Sequence, residues 1–251
     1  LIYGKIKESS IQLTQLKPET LAFCKKYLIN SDEINDSIVT SDVLNRRSIN
    51  NSFFNKTVYI NEKSELVLSS IIKGNIIIHS EKAIYITKDA LIDNIIIFSP
   101  KIYFEEGFAG SLQAFAYDTL IVPDNCKFHH GSVLGVVNFS ANNIMMKIGE
   151  NSNITGSVLL FQKLKANVSP NLSIGKNTII EGQVYCPGKI DISGEIHGSL
   201  FCETIYLSTN RASYENHLKN VIIDANQLSE FFCGINALPF YKENKLLKWL
   251  N

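Results

Sequence analysis

The sequence predicts an all-β chain: a single-stranded parallel β-helix (solenoid) with N- and C-terminal caps that lack its repeat. Three observations lead to this prediction. A short strand with apolar residues at alternate positions recurs along the middle of the chain, Gly or Asn follows each strand at a fixed offset, and helical periodicity is nearly absent between residues 57 and 212. Period-2 alternation is typical of a strand with one buried face, and a fixed recurrence is typical of a coil that adds one turn per repeat.

The recurring strand occurs eight times along the chain. Its copies are Val58–Ile60, Ile84–Ile86, Ile102–Phe104, Leu120–Val122, Met146–Ile148, Leu172–Ile174, Ile190–Ile192 and Ile205–Leu207. The commonest short step, about 18 residues, predicts one turn of the coil, and loops account for the longer steps. Those loops are expected at about residues 61 to 81, 123 to 145 and 161 to 171, and any binding surface is expected there or on one flat face.

Small or amide residues mark the predicted corners of the coil. Asn94, Gly156 and Gly182 stand eight residues after the end of a strand, and Gly110 and Gly198 stand six residues after one. A corner favours residues that tolerate left-handed backbone angles. A sandwich of hairpins is the main alternative, but the Asn-Gly and Asp-Gly turns typical of hairpins do not occur in the chain.

The pattern divides the chain into three regions. Residues 1–56 form an N-terminal extension and cap, residues 57–212 carry the repeat, and residues 213–251 form a last turn and cap. Pro18 to Leu28 is predicted as a short helix, because Pro is favoured in a first helical turn. Trp249 is predicted to cover the open end of the coil, which would otherwise expose strand edges and core.

Composition excludes several classes of protein. The chain is 45% hydrophobic and only 19% charged, which is too apolar for a disordered chain, and its net charge of zero predicts no nucleic-acid partner. Uncharged apolar runs such as Ile95 to Phe98 have the length of strands, not of membrane spans. The chain starts with Leu1 and not Met, so we expect that its natural start has been removed, and a signal peptide or a membrane anchor is one candidate for the missing part.

Five cysteines without a Cys-x-x-Cys pair argue against a zinc ribbon and against a full disulfide framework. Cys186 and Cys202 hold equivalent positions in the repeat, so we expect them on neighbouring turns. Strands about 4.8 Å apart permit a disulfide, but side chains on adjacent strands often miss its geometry. Two stacked buried thiols are the preferred interpretation, and the bonded form stays open.

Residues 171–207 read NLSIGKNTIIEGQVYCPGKIDISGEIHGSLFCETIYL. This stretch resembles the polymer-forming bactofilin-type bacterial β-helix, and residues 99–122 and 214–228 resemble uncharacterised membrane-anchored extracytoplasmic β-helix proteins. The resemblance implies the coil fold and an extracytoplasmic location, periplasmic or on the cell surface. It supplies no catalytic residue. About 56 residues before the repeat and about 39 after it depart from the bare bactofilin coil, so a capped, non-filamentous protein is expected.

Two enzymatic interpretations compete with this one, and the first is an acyltransferase. Ile148–Asn153 and Ile174–Ile179 fit the hexapeptide pattern of left-handed β-helix acyltransferases, for which His129, His130 or His197 could act as a base. The two matches stand apart and are not repeated back to back, so strand-to-corner segments are the preferred interpretation. A surface loop is the preferred interpretation of the His129-His130 pair. A metal site is less favoured, because the side chains of consecutive residues on a strand point to opposite sides.

The second is a carbohydrate-cleaving β-helix, which would need clustered carboxylates. Glu105 and Glu106 point to opposite faces if extended, and Asp118 and Asp124 are expected as solvated turn residues in preference to cation ligands. The sequence pattern predicts no aromatic row at the repeat spacing for sugar binding.

The sequence therefore predicts no catalytic, cofactor-binding or metal-binding residue and no cofactor. The expected function is a non-catalytic structural or interaction scaffold of the bacterial cell envelope, as part of a surface assembly with an unknown protein partner. A membrane contact is expected only through the missing N-terminal segment. A glycan-binding or glycan-cleaving protein is the second interpretation and a hexapeptide-type acyltransferase the third.

Overall fold

The computed structural model describes residues 2–3, 15–29, 37–39, 44, 47–140, 143–163, 171–208 and 213–232. These residues form one helix, α1 (Pro18–Leu28), a short 3-10 helix (Ala225–Gln227) and eighteen strands in one sheet. The strands are β1 (Ile2–Tyr3), β2 (Ser37–Val39), β3 (Ser48–Asn51), β4 (Val58–Glu62), β5 (Leu66–Leu68), β6 (Ile71–Gly74), β7 (Ile76–Ser80), β8 (Ala83–Ile86), β9 (Leu91–Phe104), β10 (Ala109–Val122), β11 (Lys127–Asn138), β12 (Met145–Ile148), β13 (Asn153–Gln162), β14 (Asn171–Ile174), β15 (Ile179–Ile192), β16 (Glu195–Ser208), β17 (Ser213–Glu215) and β18 (Ile222–Asp224).

The predicted open solenoid is wrong, because six strands close into a ring. Strand β10 pairs with β11, β11 with β13, β13 with β15, β15 with β14, β14 with β12, and β12 with β10 again. All six pairings are parallel. The fold is therefore a closed six-strand parallel β-barrel with the other strands bonded outside it, and only the all-β part of the prediction is confirmed.

The ring closes because two long strands continue past a corner instead of ending there. In β10, residues 109–116 pair with β11 while residues 119–122 pair with β12. In β15, residues 179–185 pair with β13 while residues 189–192 pair with β14. The register shifts at Ala116/Thr119 and at Cys186/Lys189 mark the two bends. Irregular pairing of this kind bends a strand without breaking it, and the alternation of apolar residues does not reveal it.

The apolar triplets of the sequence do pair with one another in register. Their first residues form an interior column, which consists of Leu66, Ile84, Ile102, Leu120, Met146, Leu172, Ile190 and Ile205. All eight belong to or pack against the main core. The first predicted copy of the recurring strand, Val58–Ile60, does not belong to this column, because it pairs with Ile76–Ile78. Leu66–Leu68 takes the position next to Ile84–Ile86 instead.

Two of the segments expected as loops are strands. Residues 61 to 81 contain β5, β6 and β7, and residues 123 to 145 contain β11. Strand β7 is buried at every position, so it lacks the alternation on which the prediction depends. Of the third expected loop, residues 164–170 lie outside the described residues.

Helix α1 has the predicted bounds, with Pro in its first turn. It packs against the outer face of the sheet, where Tyr27 stacks on Phe98 with ring centroids 4.9 Å apart, and Phe98 stacks on Phe115 at 5.4 Å. These rings belong to a second apolar cluster on the outer face of the sheet, which also contains Tyr59. Its neighbour Ile60 belongs to the main core, because successive residues of a strand point to opposite faces. The three predicted regions and the capping role of Trp249 stay predictions, because residues 233–251 lie outside the described part of the chain.

Glycine is required at the predicted corners because backbones of successive layers approach closely there. Gly156, Gly182 and Gly198 pair in register. A Cβ atom on Gly182 would overlap the carbonyl oxygen of Gly156, and one on Gly198 would overlap that of Gly182. Asn94, at the corresponding corner in an earlier layer, adopts a φ of 56°, as the corner prediction expects.

We expect Gly182→Ala to destabilise the fold by about 3 kcal/mol or more, because the new methyl group forces two backbone segments apart. Gly107→Ala is the matched control. Its φ of 81° is strained for alanine but its Cβ would meet nothing within 4 Å. A loss of only about 1 kcal/mol is expected there. Chemical denaturation of both variants measures the difference, and equal losses would contradict the close-approach explanation.

Candidate functional site

The candidate site is a straight row of side chains on the outer face of the sheet, here called the outward column. Its eight members occupy the middle positions of the paired triplets and point away from the core. They are Val67, Tyr85, Tyr103, Ile121, Lys147, Ser173, Asp191 and Tyr206. Neighbouring parallel strands are about 4.8 Å apart, so the column presents one side chain per layer at nearly constant spacing.

One half of the outward column is apolar and aromatic. Tyr85 and Tyr103 stack with ring centroids 5.1 Å apart and an interplanar angle of 13°. Val67 and Ile121 lie directly beyond them on either side. Val67 is 61% exposed and Tyr85 is 38% exposed. This half is therefore a ridge of two rings between two aliphatic side chains, and its outer edges face solvent.

The pKa of the Tyr85 hydroxyl is raised above its ordinary value. Desolvation is the largest cause, followed by the negative charges of Glu65 and of ionised Tyr103. The Tyr85 hydroxyl can both donate and accept a hydrogen bond.

The other half of the column is polar. Lys147 is exposed, and Asp191 and Tyr206 are half-buried. The ammonium group of Lys189 lies 5.0 Å from the centroid of the Tyr206 ring and 3.3 Å from the Glu215 carboxylate. Because Lys189 occupies the face of the Tyr206 ring, the aromatic surface open to a partner is the Tyr85–Tyr103 pair.

The sequence interpretation missed this row, although the signal is present. Positions 67, 85, 103 and 121 are equally spaced, and the spacing is the predicted one-turn step of about 18 residues. The prediction rests on the buried first and third residues of each triplet, and it therefore passes over the middle one. In a strand the middle residue of such a triplet faces the opposite side.

The two hexapeptide-like segments, Ile148–Asn153 and Ile174–Ile179, each run from a strand into a corner, which is the preferred interpretation of the sequence. Asn151 and Asn177 adopt φ values of 54° there, and the Asn177 side chain donates to Asn151 Oδ1 at 3.1 Å. Inside the corner, the Ser152 backbone N–H donates to the Thr178 hydroxyl at 3.2 Å, and that hydroxyl donates to the Gly149 carbonyl at 2.6 Å. These side chains are occupied in satisfying the backbone of the turn.

The histidines considered as bases do not come together. His129 and His130 are exposed beside Gly131, at an irregularity in the pairing of β11 with β13. His197 lies on β16, and its Nε2 is 3.0 Å from a carboxylate oxygen of Glu195. His129 and His130 thus form a surface irregularity and His197 belongs to a local polar pair.

The acidic residues are also separate. Glu105 accepts a hydrogen bond from the backbone of Lys88 at 2.9 Å, whereas Glu106 accepts one from Asn125 in the following layer at 2.9 Å. Asp118 and Asp124 lie at opposite ends of residues 119–122, a segment about 10 Å long at the usual rise of a strand. Asp118 accepts a hydrogen bond from the Asn138 side chain, and Asp124 accepts one from the backbone N–H of Glu150. Within the described ranges, no group of three or more His, Cys, Asp or Glu could hold a metal ion.

Cys186 and Cys202 lie side by side on β15 and β16, as predicted, and both are free thiols. Burial raises the pKa of the Cys202 thiol to about 11 and that of the Cys24 thiol to about 12. The pKa of Cys186 is raised further, first by burial and then by the neighbouring Cys202. All three are neutral thiols near pH 7.

The chain matches no protein-family model, and searches of curated proteins and of solved structures find no match to it. In the part of the chain that the structure describes, no helix has the length and apolar character needed to cross a bilayer.

Raised thiol pKa values predict a loss of stability in alkali. The folded state holds these protons above the ordinary thiol pKa of 9.0, whereas the unfolded state releases them there. The free energy of unfolding is therefore unaffected by these groups below about pH 9 and falls by about 2 kcal/mol or more towards pH 11. Denaturation at a series of pH values measures this slope. Cys24→Ala and Cys186→Ala should each make it shallower, and a slope unchanged in both variants would contradict the assignment.

Proposed function

We propose that this chain is a non-catalytic structural or interaction scaffold of the bacterial cell envelope, and that the aromatic half of its outward column is the surface that binds a protein partner in a surface assembly. The single observation that carries the proposal is the residue-to-residue pairing of the outward column from Val67 to Tyr206, which fixes one outward side chain per layer. The resemblance to bactofilin-type and membrane-anchored extracytoplasmic proteins supports the location in the envelope.

A stiff backbone supports the role of a scaffold. Each strand of the barrel is hydrogen-bonded to a neighbour on both sides, and the interior is filled by large apolar side chains that are almost completely buried. A binding surface on such a backbone loses little conformational entropy when a partner binds, because its side chains are already held in place.

The stacking of the two rings favours a protein over a sugar. Tyr85 and Tyr103 cover one another, and the neighbouring column members Val67 and Ile121 lie along their other sides. Sugar binding by aromatic residues uses open ring faces. The edges and hydroxyl groups remain free here, and these are the parts with which tyrosine contributes to protein interfaces.

Glycan binding is the second candidate, because two tyrosine rings do lie in a row at the repeat spacing. A glycan would meet the ring edges and the adjacent polar half of the column through hydrogen bonds. The experiment below distinguishes this candidate from the first.

We expect the chain to co-sediment with an envelope fraction of the source cells that has been washed with detergent to remove lipid. Tyr85→Ser/Tyr103→Ser should weaken this binding about tenfold or more, because central interface tyrosines contribute about 2 kcal/mol or more when they are hot spots. Tyr214→Ser is the matched control, since Tyr214 is 47% exposed but lies outside the column. Its binding should equal that of the wild type.

Protease treatment of the envelope fraction separates the two candidates. Loss of binding after protease supports a protein partner. Binding that resists protease and disappears after digestion of the glycan supports the second candidate. If the double tyrosine variant binds like the wild type, the outward column is not the binding surface.

A further inference from the structure

We propose that the turn at residues 52–57 is a membrane-contact loop, whose two phenylalanines enter the surface of a bilayer that contains anionic lipid. Phe54 is fully exposed at 102% and Phe53 is 68% exposed. The proposal goes beyond the scaffold function, because it assigns a second surface, in a different place, with a different kind of partner.

The register of the sheet shows that this turn is an insertion. Asn51 pairs with Gly74 and Val58 pairs with Ile76. Between these paired positions the second layer needs only Asn75, whereas the first layer has residues 52–57. The fold closes the corner with one residue, so the longer excursion is not required to connect the strands.

Hydrogen bonds within the inserted turn, and to it from Asn51 and Asn75, define its shape. The Asn55 backbone N–H donates to the Ser52 carbonyl at 3.0 Å, and the Phe54 N–H donates to the Ser52 hydroxyl at 3.2 Å. The Asn51 side chain donates to the Lys56 carbonyl at 2.9 Å, and the Asn75 side chain donates to the Asn55 carbonyl at 3.0 Å. The turn therefore holds the two rings in the solvent at its tip.

Exposure of two adjacent phenylalanine side chains to water is unfavourable in free energy. Burial of a phenylalanine side chain stabilises a protein by removing apolar surface from water, and this turn gives up that gain at both rings. Apolar side chains that protrude together are a feature of interaction surfaces. Because the rings project from a convex tip, they fit a soft surface into which they can insert better than a preformed pocket.

The charges around the tip select the kind of surface. Arg47, Lys56 and Lys73 are exposed, and Lys73 pairs with Asn50 at the base of the turn. No Asp or Glu occurs in the chain between Asp42 and Glu62. In the described layer that follows Lys73, the paired residue is Asp93, whose carboxylate accepts a hydrogen bond from Ser111. Apolar residues at a tip with cations behind them match the boundary between acyl chains and anionic headgroups.

The test uses vesicles made from equal amounts of phosphatidylcholine and phosphatidylglycerol. The wild-type chain should co-sediment with them, and more weakly with phosphatidylcholine alone or at high salt. Phe53→Ala/Phe54→Ala should weaken the binding about tenfold or more, because it removes the inserted apolar surface. Lys56→Gln should weaken it about fivefold, because it removes one cation near the headgroups.

Phe231→Ala is the matched control, since Phe231 is 83% exposed and lies on a different turn. It should bind like the wild type. In addition, Phe54→Trp should gain a blue-shifted emission on addition of mixed vesicles, whereas Phe231→Trp should not. All four phenylalanine variants remove or exchange an exposed side chain, so unchanged thermal melting is expected and shows that folding is intact.

Three results of the vesicle tests would overturn the proposal. These are no binding to mixed vesicles, equal binding by Phe53→Ala/Phe54→Ala and the wild type, or an equal loss in Phe231→Ala. A dimer that dissociates in the double variant would assign the turn to a contact between two copies and would also overturn it. Because this test contains only lipid and the envelope test contains none, each proposal can fail without the other.

Discussion

The parallel, in-register pairing of apolar triplets builds the core and fixes the positions of the corners and of the outward side chains. Each interior residue, such as Ile102, lies directly beside its counterparts in the layers before and after it, here Ile84 and Leu120. This arrangement places like side chains about 4.8 Å apart and excludes water from the core. The same constraint brings backbones so close at the corners that Gly182 tolerates no side chain.

Fixed register also determines where the molecule can vary. Between two paired positions the chain takes one residue, as at Asn75, or several, as at residues 52–57, without disturbing the layers. The repeat can therefore vary in length, and an insertion such as the Phe53–Phe54 turn is presented at the surface instead of being packed inside. The outward column follows from the same register on the sheet face, so both proposed surfaces are consequences of one pairing scheme.

How much of the structure is predictable depends on which signal each element carries. Helix α1 and the pairing of Ile84–Ile86 onward follow from local periodicity, and Cys186 and Cys202 are neighbours as expected. Ring closure is not predictable in this way, because it depends on bends within β10 and β15 that leave no alternation pattern. The Tyr85–Tyr103 pair is missed when only buried positions are followed, although the constant spacing of its column is visible in the sequence.

Residues one repeat step apart in this region, such as Val67 and Tyr85, lie one layer apart. Distances between spin labels on the outward column measure this register. Nitroxide labels are attached in two variants, Val67→Cys/Tyr103→Cys and Val67→Cys/Ile121→Cys, in a Cys202→Ser/Cys233→Ser background, because Cys202 is a partly exposed free thiol. Two and three layers at the usual strand spacing predict separations of about 10 and about 14 Å, apart from the reach of the labels, so the second pair should be about 5 Å farther apart. Separations that do not increase in this order, or that both exceed about 20 Å, would contradict the register and the surfaces inferred from it.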